Sequence, residues 1–336
     1  MSSALLLDLV GGLVLFLFGV LQLATGVEAL AGDRARTWLA RWTSNRFAGI
    51  ATGAVATTIL DSSSVTIILV IALVNGGLLS FTQSIGVIMG ANIGTTVSSQ
   101  IFALDAEAYA PVVMAVGFGL FVIARHSARW RSVGLSVLGL GLVFFGLRFI
   151  GDAVAPLRDD PQVLAWMIGL ERPLIGAAVG MGLTIVLQSS SAMLGVVITL
   201  AGEGMITLPA ALAVMIGAEI GTCADTLIAS IGRSVAAVRA GVVHLIFNLT
   251  SAALGLLVLG PLGAVAGLLP GGDDLPRQIA NAHVLFNVFG VLLFVGFVPM
   301  IASVLQRAIP DAGGDEVEDA GRRQDPSSAS PRTLQP

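Results

Sequence analysis

Two serine triplets stand at the centres of long apolar stretches in this 336-residue chain, Asp61-Ser62-Ser63-Ser64 and Gln188-Ser189-Ser190-Ser191. Hydroxyls, an amide and a carboxylate in such surroundings suit ion recognition. Where serines end one half-helix and begin the next, unpaired backbone N–H groups and a partial positive charge face the turn, and small anions bind there. Ser62, Ser63, Ser64, Gln188, Ser189, Ser190 and Ser191 are therefore candidate substrate ligands. Carbonyls that close a first half-helix suit a hard cation such as sodium, so Asp61, Ser62, Gln188 and Ser189 form a candidate sodium site beside the anion. Serines in membrane helices more often only join helices. Two copies, each central in an over-long apolar run, argue against that plainer reading.

A second pair of blocks, Gly90-Ala91-Asn92-Ile93-Gly94-Thr95-Thr96 and Gly217-Ala218-Glu219-Ile220-Gly221-Thr222-Cys223, sets glycine beside amide, acid and hydroxyl groups. Asn92 and Thr95 are candidate substrate ligands, although close packing of the glycines explains the blocks about as well. Asp61, Glu219 and Asp225, with Thr222, are the candidates to bind or couple a cation. An ionised carboxylate in a membrane core costs at least about 2.5 kcal/mol. Such a group takes up a proton or a cation, or lies paired with polar neighbours in a hydrated cavity. His244 and Asn248, like His283 and Asn287, fall four apart on one helix face. They read as interhelical hydrogen-bonding residues in preference to substrate contacts.

Composition says where these residues work. The chain is 55% hydrophobic and 11% charged, with a mean hydropathy of +0.92, whereas a soluble domain carries roughly 25% charged residues. A soluble globule is excluded. The net charge of -4 gives no reason to expect a nucleic-acid partner. The single cysteine, Cys223, rules out an intrachain disulfide. No spaced nucleophile–base pair or metal cluster is recognisable, so an enzyme is not expected, and no cofactor beyond a coupling ion. A membrane sensor or scaffold is disfavoured because the polar tail offers no signalling motif.

The elements that must hold the serine blocks follow from the charges and prolines. Apolar runs cover 5–29, 50–79, 84–104, 108–124, 133–150, 174–201, 209–231, 240–262 and 279–305. Those at 50–79 and 174–201 are too long for one span; split at the serines, each half is roughly 11 to 15 residues, about 16 to 22 Å of helix. That reaches the bilayer middle without crossing it, which makes two re-entrant hairpins, about 50–79 and 174–203, and seven full spans. All seventeen basic residues are arginine, and this count places thirteen of them on one face, with Arg148, Arg158, Arg172 and Arg277 on the other. By the positive-inside rule the N-terminus is outside and the C-terminus cytoplasmic. The first run lacks a basic flank ahead of it and reads as structure, not a cleaved leader.

Shifted by 127 residues, the sequence aligns with itself without gaps from about Phe18 to Gln100, with identities clustered at the polar blocks. Each copy contains three crossings, an odd number, so the second lies upside down. The expected architecture is an all-α polytopic membrane protein with two inverted repeats, residues 1–130 and 131–262, followed by a loop and last transmembrane helix at 263–306 and a disordered cytoplasmic tail at 307–336. Such repeats belong to alternating-access transporters with a midplane site.

With these motifs the chain resembles the type II sodium-dependent phosphate cotransporters, the Na/Pi class. The resemblance rests on the doubled serine motif, the Gly-Leu-Leu stretch at Gly77, Gly90 to Thr96, Phe145-Gly146-Leu147, and Asn281-Ala282-His283 with Phe286-Asn287, and covers Leu13 to about Leu305. It implies a bacterial inner-membrane carrier that takes up inorganic phosphate with sodium, the two hairpins forming the site. Phosphate, sodium and the lipid bilayer are then its partners, and homo-oligomerisation is left open. Three positions depart from the family pattern. Asp61 stands where glutamine begins the first serine motif, Glu219 where asparagine is expected, and Asp225 adds a third acid. These acids keep open proton coupling, or another anion, on the same fold.

Overall fold

The computed structural model describes residues 3–104, 106–124 and 126–311. Asp105, Arg125 and the tail from residue 312 on, with its expected disorder, lie outside the described residues. Every regular element among the described residues is helical.

The first helix, α1 (Ser3–Arg41), runs twelve residues past the expected end at Ala29. Its added turns bury Ala35 and Leu39, four apart on one face, against the core, and Arg41 in the last turn favours the helix C-terminus. The first interrupted segment follows as α2 (Arg46–Leu60) and α3 (Ser63–Asn75), then α4 (Phe81–Gly94) and α5 (Thr96–Phe102), which together make one span from Phe81 to Phe102. Next come α6 (Ala110–Ile123) and α7 (Ala128–Val154). The second half contains α8 (Pro161–Gly169), the interrupted segment α9 (Pro173–Leu187) and α10 (Ser190–Gly202), the broken span α11 (Leu208–Gly221) and α12 (Cys223–Ser230), and α13 (Val235–Leu257). The chain continues as α14 (Leu259–Gly267), α15 (Leu275–Val295) and α16 (Val298–Ala308).

Six of these units are long and apolar enough to cross a membrane: Leu5–Arg41, Phe81–Phe102, Ala128–Leu157, Leu208–Ser230, Val235–Leu257 and Leu275–Val295. The chain is a polytopic membrane protein. The expected crossing at 108–124 is the shorter apolar helix Glu107–Ile123. Two expected spans end earlier than their apolar runs do. The run at 240–262 breaks at Val258 between α13 and α14, and that at 279–305 breaks at Gly296–Phe297 between α15 and α16. The stretch before the second hairpin, which falls between two of the apolar runs, contains α8, bent 98° from α9.

Both interrupted segments return to the end of the bundle at which they begin. Ahead of α2, the Thr43 carbonyl accepts a 3.0 Å bond from Gln83 Nε2 in the first turn of α4. In the same way Glu171, ahead of α9, accepts a 2.8 Å bond from the Thr207 hydroxyl that precedes α11. The first hairpin opens where Asn75 Oδ1 accepts from Ser234 N and Arg239 bonds the Ile309 carbonyl. The second opens at the end where Arg277 reaches Gln100. Glycine sets how closely each hairpin lies on its span. A Cβ on Gly90 would stand 2.0 Å from the Ile50 carbonyl oxygen, and one on Gly217 would stand 1.9 Å from that of Ala177. Only a residue without a side chain allows this approach. Gly19 and Gly146 likewise bring α1 and α7 together, each with a Cβ position under 3.0 Å from the facing backbone.

Candidate functional site

The first half-helix of each hairpin ends in a left-handed residue, Asp61 at φ 52° and Gln188 at φ 55°, the two non-glycine residues with positive φ among the described residues. That conformation is sparsely populated for side-chain-bearing residues and reverses the chain in two positions. Ser62 and Ser189 then take up extended backbone and cap the second half-helix; their hydroxyls accept from Val65 N at 3.2 Å and Ala192 N at 3.1 Å. The N–H groups of Ser63, Ser64, Ser190 and Ser191 belong to the first turns of α3 and α10, ahead of the intrahelical ladder. The sequence places two helix N-termini at two turns, and the structure has them there.

The tips differ in their surroundings. At the first, Ser98 in α5 donates to Asp61 Oδ1, and Ser64 donates to Asp225 Oδ2 in α12 at 3.3 Å. Ser98 and Asp225 are 127 residues apart and occupy equivalent places, so the first tip is tied to both halves. At the second tip Gln188 is exposed, Ser189 half-buried, and Ser190 and Ser191 buried. One turn before the tips, Thr57 and Thr184 are fully buried, and neither hydroxyl has a hydrogen-bond partner. They are again 127 apart. The sequence reading passed over both, because a threonine in an apolar run resembles packing; their shared register was the available signal.

The other expected site residues lie in the bundle interior. Asn92 donates to Asn248 Oδ1, and the Thr95 hydroxyl returns to the Asn92 carbonyl at 2.8 Å. Thr222 donates to the Glu219 carbonyl within its own helix, at 2.9 Å. The Glu219 side chain faces His283 Nε2 at 3.1 Å, and the Ser99 hydroxyl lies 2.7 Å from His283 Nδ1. In the second half Thr226 meets His244 Nδ1 at 2.8 Å, and Asn248 meets His244 Nε2 at 3.0 Å. The spacing of the histidines and asparagines indicated interhelical bonds; His244, Asn248 and His283 form them, whereas Asn287 donates to the His283 carbonyl one turn back in its own helix at 3.2 Å. The hydroxyl partners Ser99 and Thr226 were not legible in advance.

Two interrupted helical segments, each with a capped helix N-terminus at its turn, are set among the apolar spans of a polytopic membrane protein. The sequence model described as Na+/Pi-cotransporter matches residues 15–152 and again 163–298, and the chain belongs to that family. It is 30% identical to the Bacillus subtilis protein named Uncharacterized protein YqeW, over 89% of this chain and 96% of that one. It is 28% identical to the Escherichia coli Putative inorganic phosphate export protein YjbB, over 91% of this chain and 56% of that protein. The chain thus spans little more than half the length of YjbB. The human Sodium-dependent phosphate transport protein 2C is 36% identical over 48% of this chain and 26% of its own length. No solved structure matches the chain.

Proposed function

We propose that this chain is a secondary active transporter that moves inorganic phosphate together with sodium by alternating access in the bacterial inner membrane, N-terminus outside and C-terminus cytoplasmic. The observation that carries the reading is the pair of capped helix N-termini, presented by hairpins that open to opposite ends of one bundle. Phosphate takes the free N–H groups and hydroxyls of Ser62 to Ser64 and Ser189 to Ser191, with the Gln188 amide as a further donor. Sodium takes oxygen ligands, and the suitable ones are the Asp61 carboxylate, the Ser62 and Ser189 oxygens, the Gln188 amide oxygen, and the idle hydroxyls of Thr57 and Thr184. Asp225 couples the cation to the first tip through Ser64. Asn92 and Thr95 join the substrate path when the repeats rearrange and free Asn92 from Asn248.

Inward movement follows from an inward sodium gradient, which drives a symporter in that direction. A second reading, export, is favoured by the printed name of the YjbB relatives. The two separate in proteoliposomes loaded with radiolabelled phosphate on one side and subjected to sodium or proton gradients of either sign. Movement of phosphate down an imposed sodium gradient supports the proposal. A folded protein that moves no phosphate under either gradient refutes it.

A further inference from the structure

A guanidinium carries five N–H donors in a fixed fork. At the end where the second hairpin opens, the neighbours of Arg277 decide which of its donors are occupied. The Asn281 amide nitrogen donates to the Ala266 and Pro270 carbonyls, each at 3.3 Å, so its Oδ1 is the atom that accepts from Gln100 Nε2. That turns Gln100 Oε1 toward Arg277, whose Nη1 donates to it at 2.9 Å and to the Gln100 carbonyl at 3.3 Å. Both protons on Nη1 are then in use. Nε and Nη2 make up another edge of the fork, and among the described residues no protein group accepts from them and Arg277 enters no ion pair. Two parallel N–H groups on such an edge match two oxygens of a phosphate or carboxylate.

Arg239, at the other end of the bundle, fills the same edge from within the chain. Its Nε and Nη2 donate to the Ile309 carbonyl, and Nη2 faces Asp311 at 3.1 Å. Arg277 instead lines an open cavity of about 520 Å³ between α5, α15 and the residues joining α14 to α15, and it is the one charged side chain among the described residues that line it. It is half-buried, whereas Arg148, Arg158 and Arg172, the other arginines expected at that end, are exposed. The acids just before it serve elsewhere. Asp273 is exposed; Asp274 accepts from the Arg277 backbone N–H at 3.2 Å and, with Glu107 and Glu203, lines a separate cavity of about 340 Å³. A positive charge partly withdrawn from water, without a counter-ion and facing an open space, attracts an anion into it.

We propose that Arg277, oriented by Gln100 and Asn281, is the docking residue for a phosphate oxyanion at the face where the second hairpin opens, and that the anion is held there by the Nε and Nη2 edge before it moves to the first hairpin tip. Gln100 stands two residues, about 3 Å along α5, from Ser98, which donates to Asp61 at that tip. The docked anion therefore sits against the same short helix that steadies the first tip. A free phosphate and the phosphate of a lipid headgroup share this chemistry; docking for transport requires the free ion. The transport role rests on the phosphate-carrier reading, and the anion site itself does not. Arg277 also bonds a carbonyl in the last turn of α5, where carbonyls lack intrahelical partners, so a test must separate anion binding from helix capping.

The test uses the full chain with L269C, a position that lines the same cavity, in phosphatidylcholine nanodiscs. The native Cys223 is 1% exposed, and the chain without L269C is the blank. Two thiol reagents are compared, the anionic sulfonatoethyl and the cationic trimethylammonioethyl methanethiosulfonate. A unit charge a few ångströms away in water biases each reagent by a factor of about two or more, so the anionic-to-cationic rate ratio is expected to fall at least about threefold in R277Q. R277K, which keeps the charge, is expected to keep the ratio. Added inorganic phosphate is expected to slow the anionic reagent where Arg277 is present and not in R277Q. Equal ratios in the Arg277 and R277Q proteins, or no protection by phosphate, overturn the proposal. Protection that occurs in lipid-free maltoside micelles and disappears in nanodiscs assigns the cavity to lipid phosphate and overturns docking. If R277Q does not fold, phosphate protection of L269C in the otherwise native chain decides. In sided proteoliposomes R277Q is expected to raise the phosphate KM from that face about tenfold, the loss of one charged hydrogen-bonded contact, and to change kcat far less. A variant that lowers kcat or melting temperature with KM unaltered shows Arg277 to be a helix cap and overturns the role in transport. Absence of any phosphate flux in the wild type counts against the transport function, and the thiol reactions still report on the anion site.

Discussion

The hydroxyl of Ser64 in the first hairpin donates to Asp225 in the second half of the chain, 161 residues away, at 3.3 Å. In the 127-residue register Asp225 corresponds to Ser98, which bonds Asp61 in the same hairpin. The first tip therefore rests in this arrangement against equivalent positions of both repeats, while Gln188 at the second tip stays exposed. Asp225→Asn keeps a side chain that accepts from Ser64 and removes the charge. We expect it to fold, and to raise the sodium concentration needed for half-maximal phosphate flux at least several-fold. An unchanged sodium dependence removes Asp225 from coupling.

Asp61→Gln restores in the first half the residue type that the second half has at Gln188. If Asp61 binds or couples the driving cation, both the sodium and the pH dependence of flux change. A variant indistinguishable from wild type in both shows that Asp61 is only a polar partner of Ser98.

Thr57 and Thr184 offer a sharper contrast. A buried hydroxyl without a partner costs on the order of 1–3 kcal/mol, so Thr→Val at an idle position raises thermal stability. If the hydroxyls are cation ligands, the double variant T57V/T184V loses the stabilisation that added sodium gives the wild type, since a ligand raises the melting temperature only where it binds. Equal sodium-induced shifts in the two proteins would remove these threonines from the proposed site.

The glycine contacts can be tested without transport. Gly90→Ala or Gly217→Ala places a methyl group against a backbone carbonyl that has no rotamer to move. Overpacking of this kind costs typically about 1–3 kcal/mol, so both variants should melt earlier in detergent. Gly182→Ala in α9, with nothing within 4 Å of its new Cβ, is the control and should melt no earlier than wild type. Equal melting of all three refutes the packing argument.

The hairpins were legible because polar triplets interrupted runs too long for one span, and the duplication was legible because its register held across both blocks. Helix ends were less so. Composition does not distinguish a helix that crosses from one that turns along the surface, and the runs at 240–262 and 279–305 stay apolar across their breaks. Charges concealed the last turns of α1, whose Ala35 and Leu39 are buried although Asp33, Arg34 and Arg36 surround them. The partner of Glu219 was not legible, because His283 lies 64 residues further on, beyond the reach of any local pattern.

Within the repeated polar blocks and the short helices that follow them, an acid stands opposite an uncharged polar residue three times: Asp61 against Gln188, Glu219 against Asn92, and Asp225 against Ser98. None of these three carboxylates faces another acid across the register. A carrier assembled from two identical halves would rest equally well facing either side, since exchanging the roles of the halves would cost nothing. Three unmatched carboxylates remove that degeneracy. On the alternating-access proposal, the two orientations then differ in energy even without cargo, which gives the carrier a resting side on which the gradients act.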